Sequence, residues 1–358
     1  MNTIIVPREW RRVAEEIKHG AKTGIILGRT DSGKSTLCKY LIQTWTASRV
    51  RVGYVDSDLG QSTIGFPTTV SLKIYDTPHH PRNDANPPYL QFVGNTAPDG
   101  FLVQTLHAVK MMADKSRQQG AEITLIDTAG FIDGPVARIL KQHKIEMLRP
   151  QWILALQAGD EMEHLLKGYE KMGWQVIRLT CSEHVAARSQ AERQKYRTEK
   201  YKAYFKHARL TDCSLHRVVF PSCILGTGER IDPSVLPNKL CIHAPNRPYL
   251  EKCGNELLII ADAADALIPV SPLKESFGVA SVILIERDGL KDLLVGLNDD
   301  NNCTLGLGTI ADTDPFAGKL TLFTPVEEIH KVTTIRLGVV KVDRDGKEYG
   351  RTRVIRYC

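Results

Sequence analysis

The 358-residue chain has no uninterrupted apolar run of the roughly 18 residues that a membrane-spanning helix needs, so helical membrane spans are not expected. Its first residues, MNTIIVPREWRRVAEEIKHG, set acids and bases where an export signal would carry its apolar core. Its eight cysteines include no C-x-x-C pair, and Cys241 and Cys253 lack a second close pair, so no structural zinc site is expected. A reduced, cytoplasmic protein follows as the expectation. The 27 glycines and 18 prolines show no repeat, which excludes a collagen-like or low-complexity chain. What is present is ordinary globular usage, 42% hydrophobic and 25% charged, in a length that suggests about two domains. Lys and Arg exceed Asp and Glu by 47 − 41 = +6, so the location of the excess matters more than its size.

Apolar strands alternate with helical patterns through the first half. GIILG at 24–28 runs into a glycine-rich turn, followed by a helical TLCKYLIQTWT. VRVGYVDSD, EITLIDT, QWILALQA and WQVIRLT are further strands, and 101–113, 136–149 and 161–173 are helical. This order predicts right-handed βαβ units and a mostly parallel sheet flanked by helices. After about residue 210 short strand candidates take over: HRVVF, LLIIA, VASVILIE, LLVGL, TLGLGTI, LTLFT, TTIRLGVV and RTRVIRY, divided by turns such as DDNN and DRDG. The expected organisation is an N-terminal segment over 1–20, an α/β domain over 21–210 and a smaller β-rich domain over 211–358. Residues 76–88, DTPHHPRNDANPP, form a Pro-rich loop, either functional or a solvated connector.

Residues 28–35, GRTDSGKS, match G-x-x-x-x-G-K-[ST] between a strand and a helix. The glycines let backbone N–H groups wrap phosphates at the helix N-terminus, so Gly28, Thr30, Asp31, Ser32, Gly33 and Thr36 are candidate nucleotide contacts. Lys34 would reach the β- and γ-phosphates, and the Ser35 hydroxyl would ligate Mg²⁺. The fold class is therefore a P-loop NTPase domain. N-K-x-D, the base-reading motif of many GTPases, is absent, which favours ATP. Two acidic sites end strands, Asp56 with Asp58 and, further on, Asp127, where an open α/β sheet binds its ligands. One acid in such a site organises Mg²⁺, and Asp56 and Asp127 are the candidates. A second accepts a proton from an attacking hydroxyl. For Asp56 and Asp58 the competing role is to cap the turn that follows.

The segment 188–209 holds eight Lys or Arg against two Glu, 8 − 2 = +6, equal to the charge of the whole chain. Arg193, Arg197 and Lys200 share one helical face. A lid helix over 186–207 closing on phosphates, a nucleic-acid surface and a solvated face are all compatible with that charge.

Taken together, these motifs resemble the polynucleotide 5′-hydroxyl kinases related to the RNA kinase subunit of the pre-mRNA cleavage factor and to the nucleolar rRNA-processing kinase. The resemblance rests on residues 28–36, 56–61 (DSDLGQ), 92–100 (FVGNTAPDG), 127–131 with Gly134, and 188–205. In the second domain it rests on LLVGLNDDNNCTLGLGTI, LFTPV and IRLGVVKVDRDGKE, so that it spans nearly the whole chain. It implies that ATP and Mg²⁺ are the cofactors and that Asp58 takes the proton of a 5′-hydroxyl on RNA or DNA. It makes Lys34, Asp58 and Arg193 catalytic, with Arg188 and Arg197 beside Arg193 in the lid. Gln61, Asn95, Thr96 and Phe131 would contact nucleic acid. Phe131 stands where the family usually has a Trp that stacks on a terminal base; an aromatic face still stacks, but the indole is lost. The short N-terminal segment, where the eukaryotic cleavage-factor member carries an additional β domain, resembles a compact prokaryotic-type member. Three readings stay open: a γ-phosphate transferase acting on polynucleotide 5′ ends, an ATP-bound assembly or RNA-binding subunit with little turnover, and a small-molecule kinase or NTPase switch, which the broad basic segment 188–209 disfavours. Protein partners are not legible in the sequence.

Overall fold

A computed structural model describes residues 6–17, 22–76, 89–181, 188–235, 248–262, 270–352 and 355–357. The chain divides into two compact units, 1–197 and 198–358. The division falls inside the basic helix rather than after it, because the end of that helix packs within the second unit. Phe205 stacks on Phe323 with ring centroids 5.7 Å apart, and the Tyr204 hydroxyl donates to Leu307 O at 3.2 Å.

In the first unit, α1 (Arg8–Ile17) precedes β1 (Lys22–Gly28), α2 (Lys34–Ala47), β2 (Val52–Ser57), β3 (Thr69–Tyr75) and β4 (Tyr89–Phe92). Then come α3 (Leu102–Gln118), β5 (Ile123–Thr128), α4 (Gly134–Leu148), β6 (Trp152–Gln157), α5 (Glu163–Lys171), β7 (Val176–Thr180) and α6 (Gln190–Phe205). The strands lie in the order β4-β3-β2-β5-β1-β6-β7. β2, β5, β1, β6 and β7 are parallel, whereas β3 and β4 pair antiparallel. Both faces are covered, so the parallel strands are apolar without alternation. Ile25 and Leu27 of β1 enter the core beneath α3, α4 and α5, and Ile26 enters the one beneath α1 and α2. Trp10, Val13, Ala14 and Ile17 form one face of α1, and Trp45 Nε1 donates to Ala14 O at 2.8 Å. Apart from Asp76, the Pro-rich loop lies outside the described residues.

The second unit holds β8 (Arg209–Ser214), β9 (Glu229–Ile231), β10 (Tyr249–Cys253), β11 (Glu256–Ala261), α7 (Val270–Phe277) and β12 (Ser281–Glu286). β13 (Leu293–Asn298), β14 (Thr304–Asp314), β15 (Lys319–Thr324), β16 (Thr334–Val342), β17 (Glu348–Arg351) and β18 (Ile355–Tyr357) complete it. One sheet runs β17-β16-β13-β14-β15-β8, the other β18-β12-β11-β10-β9. Leu258 and Ile260 of β11 join the core between the sheets, while Leu257 and Ile259 face the cluster that includes Leu273 of α7. HRVVF is not the expected strand. Ser214 Oγ accepts from His216 N and starts a 3₁₀ turn over Leu215–Arg217, leaving Val219 a single bridge to Thr334.

Candidate active site

The site is assembled at the carboxyl ends of β1, β2 and β5. The chain leaves β1 at Gly28, where a Cβ would meet Ser32 Oγ at 2.5 Å and Leu156 O at 2.9 Å. It then turns through Asp31 (φ 57) and Gly33 (φ 95) into α2. Gly33 O accepts from Thr36 N and Leu37 N at 3.0 and 2.9 Å, which starts the helix. Lys34 is buried with its Nζ donating to Arg29 O at 2.5 Å, so the ammonium lies inside the loop. Ser32 Oγ is buried and takes no hydrogen bond among the described residues, as a hydroxyl reserved for a ligand would be. The backbone of Thr30 lies against Gly130, where a Cβ would sit 2.1 Å from Thr30 N.

Ser35 Oγ donates to Asp127 Oδ2 at 2.7 Å, and the Tyr54 hydroxyl donates to the same oxygen at 3.0 Å. Asp127 Oδ1 is buried and takes no hydrogen bond among the described residues. Burial pushes the Asp127 carboxyl up, against the pull of Lys34, Ser35 and Tyr54. A hydroxyl and a half-free carboxylate in contact, beside a lysine, are the donor set that Mg²⁺ takes in phosphate-loop proteins.

Asp56, expected as a metal ligand, is engaged by its own turn. Its Oδ1 accepts from Asp58 N at 3.1 Å. Its Oδ2 accepts from Ser62 Oγ at 3.0 Å, Thr63 N at 2.5 Å, Thr63 Oγ1 at 2.9 Å and Ile64 N at 3.3 Å. Both oxygens are engaged by the turn that follows β2, so the geometry makes Asp56 the organiser of that turn. Burial first, then the Asp127 and Asp58 carboxylates, push it up to about 6. Asp58 stands at the head of the same turn. Its Oδ1 accepts from Gly60 N and Gln61 N, both at 3.0 Å, and its side chain is only half-buried.

The basic segment meets the loop through Asp31. Arg193 Nη2 pairs with Asp31 Oδ2 at 2.6 Å, and Arg188 N donates to the same oxygen at 3.0 Å. Gln61 joins them, accepting from Arg188 Nη1 and donating to Arg193 O, each at 3.3 Å. Arg197 follows one turn further along α6. Asn95 is buried and braces its own loop, donating to Asp99 O at 3.1 Å and accepting from Thr96 N at 2.8 Å. Thr96 O comes within 3.0 Å of a Cβ placed at Gly60, so the 94–100 loop abuts the Asp58 turn. Phe131 is half-buried and lines a small cavity with Ser57, Leu59, Pro98 and Thr105. Lys141 and Lys144 line that cavity too, and sequence reasoning passed over them. Their signal is that both fall on the apolar face of α4 that Ala137, Leu140, Ile145 and Leu148 define. Tyr54 left no signal, because a tyrosine in an apolar strand reads as core.

Residues 28–207 match the family model described as mRNA cleavage and polyadenylation factor CLP1 P-loop. The chain is 32% identical over 330 residues to the polyribonucleotide 5′-hydroxyl-kinase of Methanocaldococcus jannaschii, covering 91% of this chain and 88% of that one. It is 32% identical over 353 residues to the enzyme of the same name from Thermococcus kodakarensis, covering 97% and 96%. Among solved structures, the Clp1p–Pcf11p complex is similar with a TM-score of 0.60 at 12% identity, over 93% of this chain and 78% of that one. That likeness concerns the fold alone. With the family match running from the phosphate loop to the end of α6, the chain belongs to the CLP1 P-loop family of polynucleotide kinases.

Proposed function

We propose that this chain is an ATP-dependent polynucleotide 5′-hydroxyl kinase, which transfers the γ-phosphate of ATP to the 5′-hydroxyl of RNA. The observation that carries the reading is the convergence of Lys34, Ser35, Asp127 and Asp58 at one end of the sheet. Its relatives of about one-third identity over nearly the whole chain are named for the same reaction on polyribonucleotides.

In this reading the backbone of 28–36 and Lys34 hold the ATP phosphates. Ser35 and Asp127 hold Mg²⁺, which neutralises charge on the phosphates when bound, and Asp56 contributes only by shaping the turn. Asp58 accepts the proton as the acceptor hydroxyl attacks. Arg193 and Arg188, drawn to Asp31 beside the loop, stabilise charge on the transferred group, with Arg197 behind them. Gln61, Asn95 and Thr96 border the acceptor side, and Phe131 supplies an aromatic face to a terminal base. DNA ends are a second acceptor class within the same proposal, and cytoplasmic action is part of it.

The test is incubation with Mg²⁺, γ-labelled ATP and matched single-stranded RNA and DNA bearing 5′-hydroxyl ends. Label is expected at the RNA 5′ end and is lost in Lys34→Ala. Asp58→Asn should lower transfer about 10²- to 10⁴-fold while ATP still binds. Undiminished transfer in that variant would remove Asp58 as the base. ATP binding with no label in the wild type would favour an ATP-bound assembly subunit, the reading to which the Phe131 departure lends weight.

A further inference from the structure

Two lysines of the first unit sit deep in the protein with no role in the chemistry above. Lys141 and Lys144 of α4 are each 1% exposed. Lys141 Nζ donates to Thr128 Oγ1 at 2.8 Å and to Ala129 O at 2.7 Å, and the Thr128 hydroxyl donates onward to Ile26 O at 2.7 Å. Lys144 Nζ donates to Ser57 Oγ at 3.2 Å, and the Ser57 hydroxyl donates onward to Asp127 O at 2.7 Å. Each relay thus runs from a lysine through a hydroxyl to a strand carbonyl. Together they join α4 to the ends of β1, β2 and β5. Those ends lead into Gly28, Asp58 and Gly130.

Burying an ammonium is costly, and a leucine or methionine would fill the same space without that cost. Shape alone therefore does not account for the pair. Their surroundings do: Ser57 precedes Asp58, Thr128 follows Asp127, and Ala129 precedes the glycine that lies against Thr30 of the phosphate loop. A displacement at any of these positions moves a group that the transfer reaction uses.

We propose that Lys141 and Lys144 are positioning residues for phosphoryl transfer, a buried pair that locks the ends of β2 and β5, and with them Asp58 and Asp127, against the phosphate loop. The proposal rests on the kinase reading. Neither lysine touches nucleotide or acceptor in it. The two contribute differently. Burial brings Lys144 down to about 8, with the Asp58 and Asp127 carboxylates opposing the fall. Burial, with the Lys144 and Lys34 cations beside it, pushes Lys141 down well below the ordinary lysine range. Lys144 offsets repulsion between the Asp58 and Asp127 carboxylates, and Lys141, through its two hydrogen bonds, fixes the 128–129 backbone.

The test compares the full-length wild type with Lys144→Met and Lys141→Met, measuring kcat, KM for ATP, KM for a 5′-hydroxyl RNA, ATP affinity and melting temperature. Both variants are expected to lose about 10- to 100-fold in kcat, the scale of an ångström-sized misplacement, with both KM values within about twofold. A merely structural role would lower the melting temperature and the active fraction but leave kcat per folded molecule unchanged. Should a methionine variant not fold, Ser57→Ala and Thr128→Val remove the acceptor hydroxyls at nearly constant volume and carry the same expectation. Wild-type kcat in folded variants overturns the proposal and leaves the kinase reading standing. So does a raised RNA KM with kcat preserved, which would make the pair an acceptor contact. A wild type that labels no 5′ end overturns both together.

Discussion

At Gly130 a single missing side chain lets two functional segments touch. A Cβ there would sit 2.1 Å from Thr30 N and 2.3 Å from Thr30 Oγ1, distances no real contact allows, so Gly130→Ala must push the phosphate loop aside. Overpacking of this kind costs about 1–3 kcal/mol, and if the loop bears it, ATP binding should weaken roughly five- to hundredfold by calorimetry. Gly168→Ala is the control, because nothing lies within 4 Å of a Cβ at that helical position and ATP binding should not change. ATP binding undisturbed in Gly130→Ala would mean that the loop does not depend on this contact. The same scale shows what the sequence could reveal. Lys34 and Ser35 are legible because wrapping a phosphate demands a fixed spacing. Asp56 is not, because whether a carboxylate faces a metal or its own turn is decided by Ser62 and Thr63 further along the chain. Lys141 and Lys144 escape notice because a lysine on an apolar helix face is ordinarily read as a long side chain reaching for water.

Between α5 and β7, three charged side chains tie a helix to an edge strand. Arg178 on β7 donates to Glu163 at 2.8 and 3.0 Å and to Glu170 at 2.5 and 3.0 Å. The Arg178 guanidinium, assisted by Gln157, holds the Glu163 carboxyl down to about 2 from its ordinary 4.5. A depressed acid adds stability that is complete above its unfolded value and is lost as pH falls toward its folded one. The wild type should therefore exceed Glu163→Gln by about 1 kcal/mol above pH 5, a difference of about 2 °C in melting temperature. The gap should close between pH 4.5 and about 2. A gap independent of pH would show that the loss comes from packing rather than charge. Such elements were unevenly legible. The parallel strands announce themselves as apolar runs in a βαβ order, whereas β3 and β4 went unread: TVSLKIY carries the alternation of a strand but follows β2 with no helix between, and YLQF is only four residues. α7, also unread, is short and carries one fully buried apolar residue, Leu273.

Across the whole molecule the charge is concentrated rather than spread. Residues 188–209 carry 8 − 2 = +6 and the chain carries +6, so all the rest sums to 6 − 6 = 0. The unit boundary was hidden for a related reason: the segment's charge marks it as one exposed surface, yet Tyr201 and Phe205 in it are buried. Helix α6 is thus amphipathic by length as well as by face, with Lys195, Lys202 and Lys206 on or just beyond it exposed to solvent. A solvated face and an RNA surface make different predictions for these lysines. If they neutralise phosphates, each releases condensed counterions, and the slope of log K against log salt for single-stranded RNA carries about −0.7 per contact. Replacing all three by Ala should then make the slope shallower by about 2 and weaken binding to the same extent for unrelated RNA sequences, with ATP affinity unchanged. Fluorescence anisotropy across a salt series measures both. A slope that does not move would assign these lysines to solvent and leave RNA recognition to the ends of β2, β4 and β5, where Gln61, Thr96 and Phe131 lie.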